Sequence, residues 1–333
     1  MADLADSIDR FQRRHVVLGY PIAVVYKFFD DQGSYLAVII TYYAFVAIFP
    51  LLLIASSVLG FLLQGDPGLQ EQILNSALSQ FPIVGSQLGR PEGLQGSTSA
   101  VVVGGLAALY GILGLGQASQ NAMNVAWAVP RNSRLNPLVG RLRSLLLLAV
   151  AGLALLLIAF VTSFGSHVQV FGPEVGTGLR WILYLGAIAL NAVVLTILFR
   201  LATSHRFSLR SAAPGAVAVA LMWQGLQFVG AIYVEHVLAR AGDMNGVFAL
   251  VLGLIGLIYV AAAMAILGVE INVVRTKQLY PRALLTPFTD NVELTDADRK
   301  AYIDYAKAQR HKGFERVRVT FHDNVKVKRA NDD

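Results

Sequence analysis

Six long apolar stretches set the pattern of this chain: approximately 36–63, 99–126, 144–166, 180–201, 212–234 and 246–272. Each is near the ~20 residues that carry a helix across a bilayer. Each ends at charge, proline or glycine. The runs are continuous rather than alternating, so they predict helices and not strands. A helix also satisfies its own backbone where no water is present. The predicted fold is all-α, a polytopic membrane bundle of six transmembrane helices over 36–275.

Polar pieces flank that bundle. Residues 1–35 hold an amphipathic stretch, "SIDRFQRRHVVLGYPIAVVYKFFDD". Its Arg10, Arg13, Arg14 and Lys27 either meet anionic headgroups or belong to a helix packed under the bundle. The 64–98 segment is long for a connector. Leu69, Ile73, Leu74, Ala77 and Leu78 recur there at helical spacing and predict an outer amphipathic helix. Residues 276–333 form a basic tail. Within it Thr295 is an N-cap candidate with Asp298 three residues on, opening what reads as a solvated helix. Val317, Val319 and Phe321 alternate as a lone strand does, in a stretch that reads better as flexible tail.

Composition agrees with the pattern. Hydrophobic residues make up 55% of the chain and charged ones 14%, against roughly 25% charged in soluble domains. Charge also sets the topology. Arg131, Arg134, Arg141 and Arg143 lie between spans 2 and 3, Arg206 and Arg210 between spans 4 and 5, and Arg275, Lys277 and Arg282 after span 6. The opposite loops hold Arg90, Arg180 and Arg240, three of 27 basic residues. The positive-inside rule therefore predicts both termini in the cytoplasm. The first 30 residues hold Asp3, Asp6, Asp9, Arg10, Arg13 and Arg14 and are read as holding no cleavable secretory signal, so the first span is expected to do the targeting. Cysteine is absent, which excludes thiolate metal sites and disulfides.

Intramembrane polar groups are expensive, so they are the candidates for work. Gln117, Gln120, Asn121 and Asn124 share one face of span 2. They read either as interhelical glue or as the wall of a polar cavity. Span 1 places Tyr42 and Tyr43 near its inner end and Pro50 mid-membrane, where a kink is expected. Span 5 carries Gln224 and Gln227, with Glu235 and His236 at its outer mouth. Span 6 repeats small residues at Gly246, Ala249, Gly253 and Gly256, and the same face reaches Glu270, beside Asn272. Glu270 is expected to pair with an arginine such as Arg131, Arg134 or Arg275. Arg131 and Arg134 set topology or hold an anionic headgroup.

No enzyme pattern appears. The six histidines make no metal-ligand pair. Neither a P-loop nor a dinucleotide fingerprint is present, and "FGSHV" lacks the context of a nucleophile elbow. The expectation is no catalytic residue, no cofactor, no metal and no nucleic-acid partner.

Four stretches carry a family likeness. "TYYAFVAIFPLLL" (41–53), "NAMNVAW" (121–127) followed by Arg131, "RSAAPGAVAVALMWQ" (210–224) and "GVEIN" (268–272) together resemble the YihY/virulence factor BrkB family of bacterial inner-membrane proteins. The likeness covers roughly residues 20–280. It implies a six-helix cytoplasmic-membrane protein without an established activity. The family has carried a ribonuclease label, for which this chain supplies no residues. It has also been linked to envelope integrity and, for some members, to lipid or lipopolysaccharide handling. The preferred expectation is non-enzymatic handling of a lipid or other amphipathic envelope component, with membrane lipids as partners and a cavity between spans 1, 2, 5 and 6. The alternatives are a structural protein that docks an envelope partner through 64–98, and a small-solute or ion transporter with a polar path from Glu270 to Glu235.

Overall fold

The apolar stretches fold as helices of 25 to 35 residues. The computed structural model describes residues 9–62, 68, 98–167, 176–204, 207–238, 243–284 and 292–321. A helical turn at 9–14 leads into α1 (Val16–Asp30). The long helices are α2 (Gly33–Leu62), α3 (Thr98–Ala126), α4 (Pro137–His167), α5 (Gly176–Ala202), α6 (Leu209–Tyr233) and α7 (Asp243–Lys277). A π-turn, Val234–Leu238, extends α6, and α8 (Asp296–Ala308) follows. No strand occurs among the described residues. The outer segment expected at 64–98 lies almost wholly outside them. α2 runs unbroken through Pro50, whose side chain is also outside them.

Among the described residues, four helices, α4 to α7, contain stretches long and apolar enough to cross a membrane. Only 17% to 28% of each such stretch is buried. Leu146, Leu153, Ile182, Leu185, Phe228 and Phe248 are each more than half exposed. An apolar outer surface of this extent belongs in lipid rather than water. α2 adds a shorter apolar stretch, Gly33–Ile48.

Helices α2 to α7 pack against one another in chain order, and α7 closes back on α2 and α3. The α3–α4 turn, the α5–α6 turn and the end of α7 gather at one end, called here the basal end. Asn124 on α3 accepts from Ser204 N–H at 3.1 Å, Arg143 donates to the Thr203 carbonyl at 2.9 Å, and Lys277 donates to the Trp127 carbonyl at 2.9 Å. The three loops that the charge pattern grouped on one side are thus brought together. The largest core cluster sits at this end and draws Val24 from α1, Trp127, Phe199, Val219, Val273 and Ala301 from α8.

That last residue corrects an expectation. α8 is not a solvated helix: Ala297, Asp298, Ala301 and Ala308 are buried. Small residues at spacings of four and seven share one helical face and let it lie flat on the basal end. Its start is as expected, with Thr295 and Asp298 forming a reciprocal capping box. Val317 to Phe321 form no strand.

Two glycines fix the closest helix contact. A Cβ on Gly215 of α6 would lie 1.8 Å from the Gly268 carbonyl oxygen of α7, and one on Gly268 would meet Val219 at 2.3 Å. Asn272 accepts from Gly215 N–H at 2.8 Å and donates to the Ala212 carbonyl at 2.9 Å. Small residues that let backbones touch, with an amide across the seam, are a membrane-helix packing device.

Candidate functional site

The polar residues singled out in the sequence are consumed mainly by packing. Gln120 is buried and its amide lies 3.0 Å from the Gly140 carbonyl and 2.8 Å from Ser144 Oγ, tying α3 to α4. Asn124 ties α3 to the end of α5. Asn121 accepts from the Arg134 guanidinium at 3.0 Å, and the same guanidinium reaches the Val129 carbonyl at 3.3 Å. Arg134 is therefore engaged by α3 and its own turn, whereas Arg131 is exposed. Gln117 is exposed on the outer face of α3. Tyr43 contacts the rings of Tyr42 and Tyr110, and Tyr42 is more than half exposed. Gln224 and Gln227 are partly buried on α6; Glu235 and His236 are exposed on the π-turn.

Glu270 is fully buried, and its partner is not an arginine. Its Oε2 lies 3.6 Å from Lys27 Nζ. Lys27 also pairs with Asp31 one turn along and donates to the Ala126 carbonyl at 3.0 Å. The correction has a geometric cause. α1 packs across the end of α7 and brings Lys27 to Glu270, while Arg134 is held by Asn121 and Arg131 and Arg275 are exposed. Lys27 is 2% exposed, so it is not a headgroup contact either. Of the N-terminal arginines, Arg13 pairs with Asp9 at 2.6 Å and donates to the Glu293 carbonyl at 3.1 Å.

A second buried cation extends this network. Arg282 pairs with Asp298, and with Asp30 at 3.1 Å. Gln12 donates to the Arg282 carbonyl at 2.6 Å, and Tyr305 donates to Asp30 at 3.4 Å while its ring lies 5.1 Å from Lys27 Nζ. Burial pushes the Lys27 ammonium down, but Glu270 and Asp31 together outweigh it and its pKa is raised. Burial pushes the Asp31 carboxyl up, and Lys27 only partly offsets it. Burial, then the Asp31 and Asp30 charges, hold the Tyr305 phenol protonated by raising its pKa. Neither Glu270 oxygen has a hydrogen-bond partner among the described residues. Sequence reasoning missed this assembly. Its visible signal was Lys27 four residues before Asp31 in an otherwise apolar helix, the spacing of a same-face pair.

The open volume between the long helices lies elsewhere and is apolar. A groove of about 380 Å³ runs between α6 and α7, lined by Leu226, Val229, Tyr233, Leu252, Gly253 and Gly256 among others. Tyr233, its one phenol, already donates to the Ala249 carbonyl at 2.8 Å. A second cavity, of about 220 Å³, lies inside the bundle. Ala44 and Ile48 of α2, Leu115 of α3, Trp223 of α6 and Leu257, Ile258 and Ala261 of α7 line it. Leu257 lines both spaces. The inner cavity thus falls between spans 1, 2, 5 and 6, as the sequence suggested. Its lining overturns the expected polarity: none of the span 2 amides, Gln224, Gln227 or Asn272 borders either space.

The crossing that closes the basal end is built by Ala212, Gly215, Gly268 and Asn272, all within "RSAAPGAVAVALMWQ" and "GVEIN". The sequence profile described as virulence factor BrkB matches residues 24–290. The chain belongs to the virulence factor BrkB family. No curated protein and no solved structure matches it. The BrkB match spans α2 to α7 and the basal residues Lys27, Asp31, Glu270 and Arg282. Gln12, Asp298 and Tyr305 complete the network from outside it. BrkB membership and the apolar helices together make this a membrane protein.

Proposed function

We propose that this protein is a non-enzymatic, multi-pass protein of the bacterial cytoplasmic membrane that moves or presents a lipid or another amphipathic envelope component. Six helices cross the bilayer, and the basal end, with both termini, faces the cytoplasm, following the positive-inside distribution of arginines. The observation that carries the reading is the α6–α7 groove. It lies between two helices apolar enough to span, so the medium at its mouth is lipid. Its walls offer an acyl chain dispersion contacts and no unsatisfied polar atom. Leu257 separates it from the inner cavity, which gives a chain a route toward the bundle centre.

The test is transfer or scrambling of labelled phospholipid in liposomes holding the full chain, with Gly256→Leu as the key variant. A Cβ on Gly256 meets nothing within 4 Å, so leucine fills the groove without displacing the helices. Wild type is expected to move lipid well above empty liposomes, and Gly256→Leu to lose most of that rate with an unchanged melting midpoint. Absence of movement by wild type, or full activity in Gly256→Leu, overturns the reading.

A further inference from the structure

The alternating segment "ERVRV", which the lipid groove does not use, forms a second kind of site. Residues 315–319, which belong to no helix or turn, lie beside α8 and the α3–α4 turn. The alternation leaves Arg316 and Arg318 exposed and Val317 and Val319 partly buried. Between these elements lies a cleft of about 540 Å³. Lys307, Arg310, Arg316 and Arg318 line it, over an apolar floor that includes Pro130 and Ile303.

Its charge is one-sided. None of the four cations makes an ion pair among the described residues. The single acid of the cleft, Glu315, is already occupied: its Oε2 accepts the backbone N–H groups of His311 at 2.7 Å and Lys312 at 3.2 Å. Arg310 is locked in place, because its Nε donates to Asn132 Oδ1 at 3.2 Å and its carbonyl accepts from Asn132 N–H at 3.2 Å. Four like charges converging on one space repel one another unless an anion joins them. Planar guanidinium forks bind phosphate oxygens two at a time. A tetrahedral phosphate spreads its charge over more oxygens than the two of a carboxylate, and so reaches more of these cations at once.

We propose that this cleft is an anion site that takes a phosphate group. That group comes either from the phosphodiester of an anionic lipid in the leaflet beside the basal end or from a free phosphate species. The cleft shares no residue with the α6–α7 groove, so phosphate binding and lipid movement fail independently.

The experiment titrates the full chain in a neutral maltoside detergent with inorganic phosphate in one arm and dihexanoyl phosphatidylglycerol in the other, read by calorimetry. Saturable binding is expected in at least one arm. It should weaken at least about tenfold in the double variant Arg316→Gln/Arg318→Gln, the loss of roughly one charge-assisted contact. The control Arg10→Gln/Arg14→Gln removes the same charge from exposed positions near the same end and should change binding less than about twofold. Binding of the lipid alone assigns the headgroup as source, and binding of phosphate alone assigns a soluble ligand. Both support the site. Binding in neither arm, or equal weakening by the two double variants, overturns it.

Discussion

Two stretches of α7 show opposite uses of the same helix. Around Gly268, Glu270 and Asn272 every neighbour is close. A backbone carbonyl sits where a Cβ on Gly215 would go, and Lys27, Asp31 and Glu270 are sealed between α1 and α7. Around Gly256 the helix opens onto a groove with apolar walls. The difference teaches that polarity and free volume are separated in this bundle. Polar groups are spent on closing the basal end, where buried charge is tolerated only if paired, while the space between the long helices is apolar. A small residue means contact at one position and vacancy at the other.

The largest effect that breaks this comparison is expected at Lys27. Lys27→Met leaves Asp31 and Glu270 facing each other without their cation. Removing one partner of a buried pair costs about 3–5 kcal/mol, read as a large drop in the detergent melting midpoint. Adding Glu270→Gln should recover part of it, since the second change removes a charge that the first left uncompensated. If Lys27→Met melts like Arg10→Gln, the basal network is no closure at all. Next comes a pair of glycines. Gly215→Val forces α6 and α7 apart, at about 1–3 kcal/mol or more for overpacking against backbone. Gly256→Val enters open space and should leave the midpoint unchanged. Equal losses at the two would erase the distinction between contact and vacancy.

How far the sequence foretold this is uneven, for physical reasons. Long continuous apolar runs report helices directly, because bilayer thickness and backbone hydrogen bonding leave few other solutions. Loop arginines grouped the correct three loops at one end. Polar residues were harder. The spacing of Gln117, Gln120, Asn121 and Asn124 shows that they share a face, yet not which neighbour that face meets, and Gln120 meets Ser144 only because Gly116 lets α4 approach. Glu270 is an extreme case. Its arginine candidates were near in topology, whereas Lys27 reaches it through the docking of α1, a contact nearly 250 residues away in the chain that no periodicity encodes. The groove is invisible for the same reason: a glycine that opens space and one that closes it look alike in sequence.

Acidity tests the sealed stretch more gently. Lys27, with a raised pKa, adds stability that is present below its ordinary 10.5 and is lost only as pH rises beyond its folded value. Asp31 works in a lower window. Its folded pKa lies above the ordinary 3.8, so its contribution is present below that value and is lost as pH rises through the folded one. The melting midpoint of wild type should therefore decline on going up from about pH 4, and Asp31→Asn should flatten that decline. Gly256→Leu should keep the wild-type slope, because no carboxylate, histidine or amine lines the groove. A parallel slope in Asp31→Asn would place the titration elsewhere.

The smallest effect separates two members of one amide stripe. Gln120→Leu removes contacts to the Gly140 carbonyl and Ser144 Oγ inside the α3–α4 seam. An interhelical hydrogen bond within a membrane contributes about 0.6–2 kcal/mol, so a modest fall in the midpoint is expected. Gln117→Leu, three residues earlier and exposed, should cost nothing, and leucine suits a lipid-facing position better than an amide does. Lipid movement should survive both changes, since neither residue borders the groove or the inner cavity. A loss of transport in Gln117→Leu at unchanged stability would return the stripe to the substrate path. The path would then run along the outside of α3 rather than between α6 and α7.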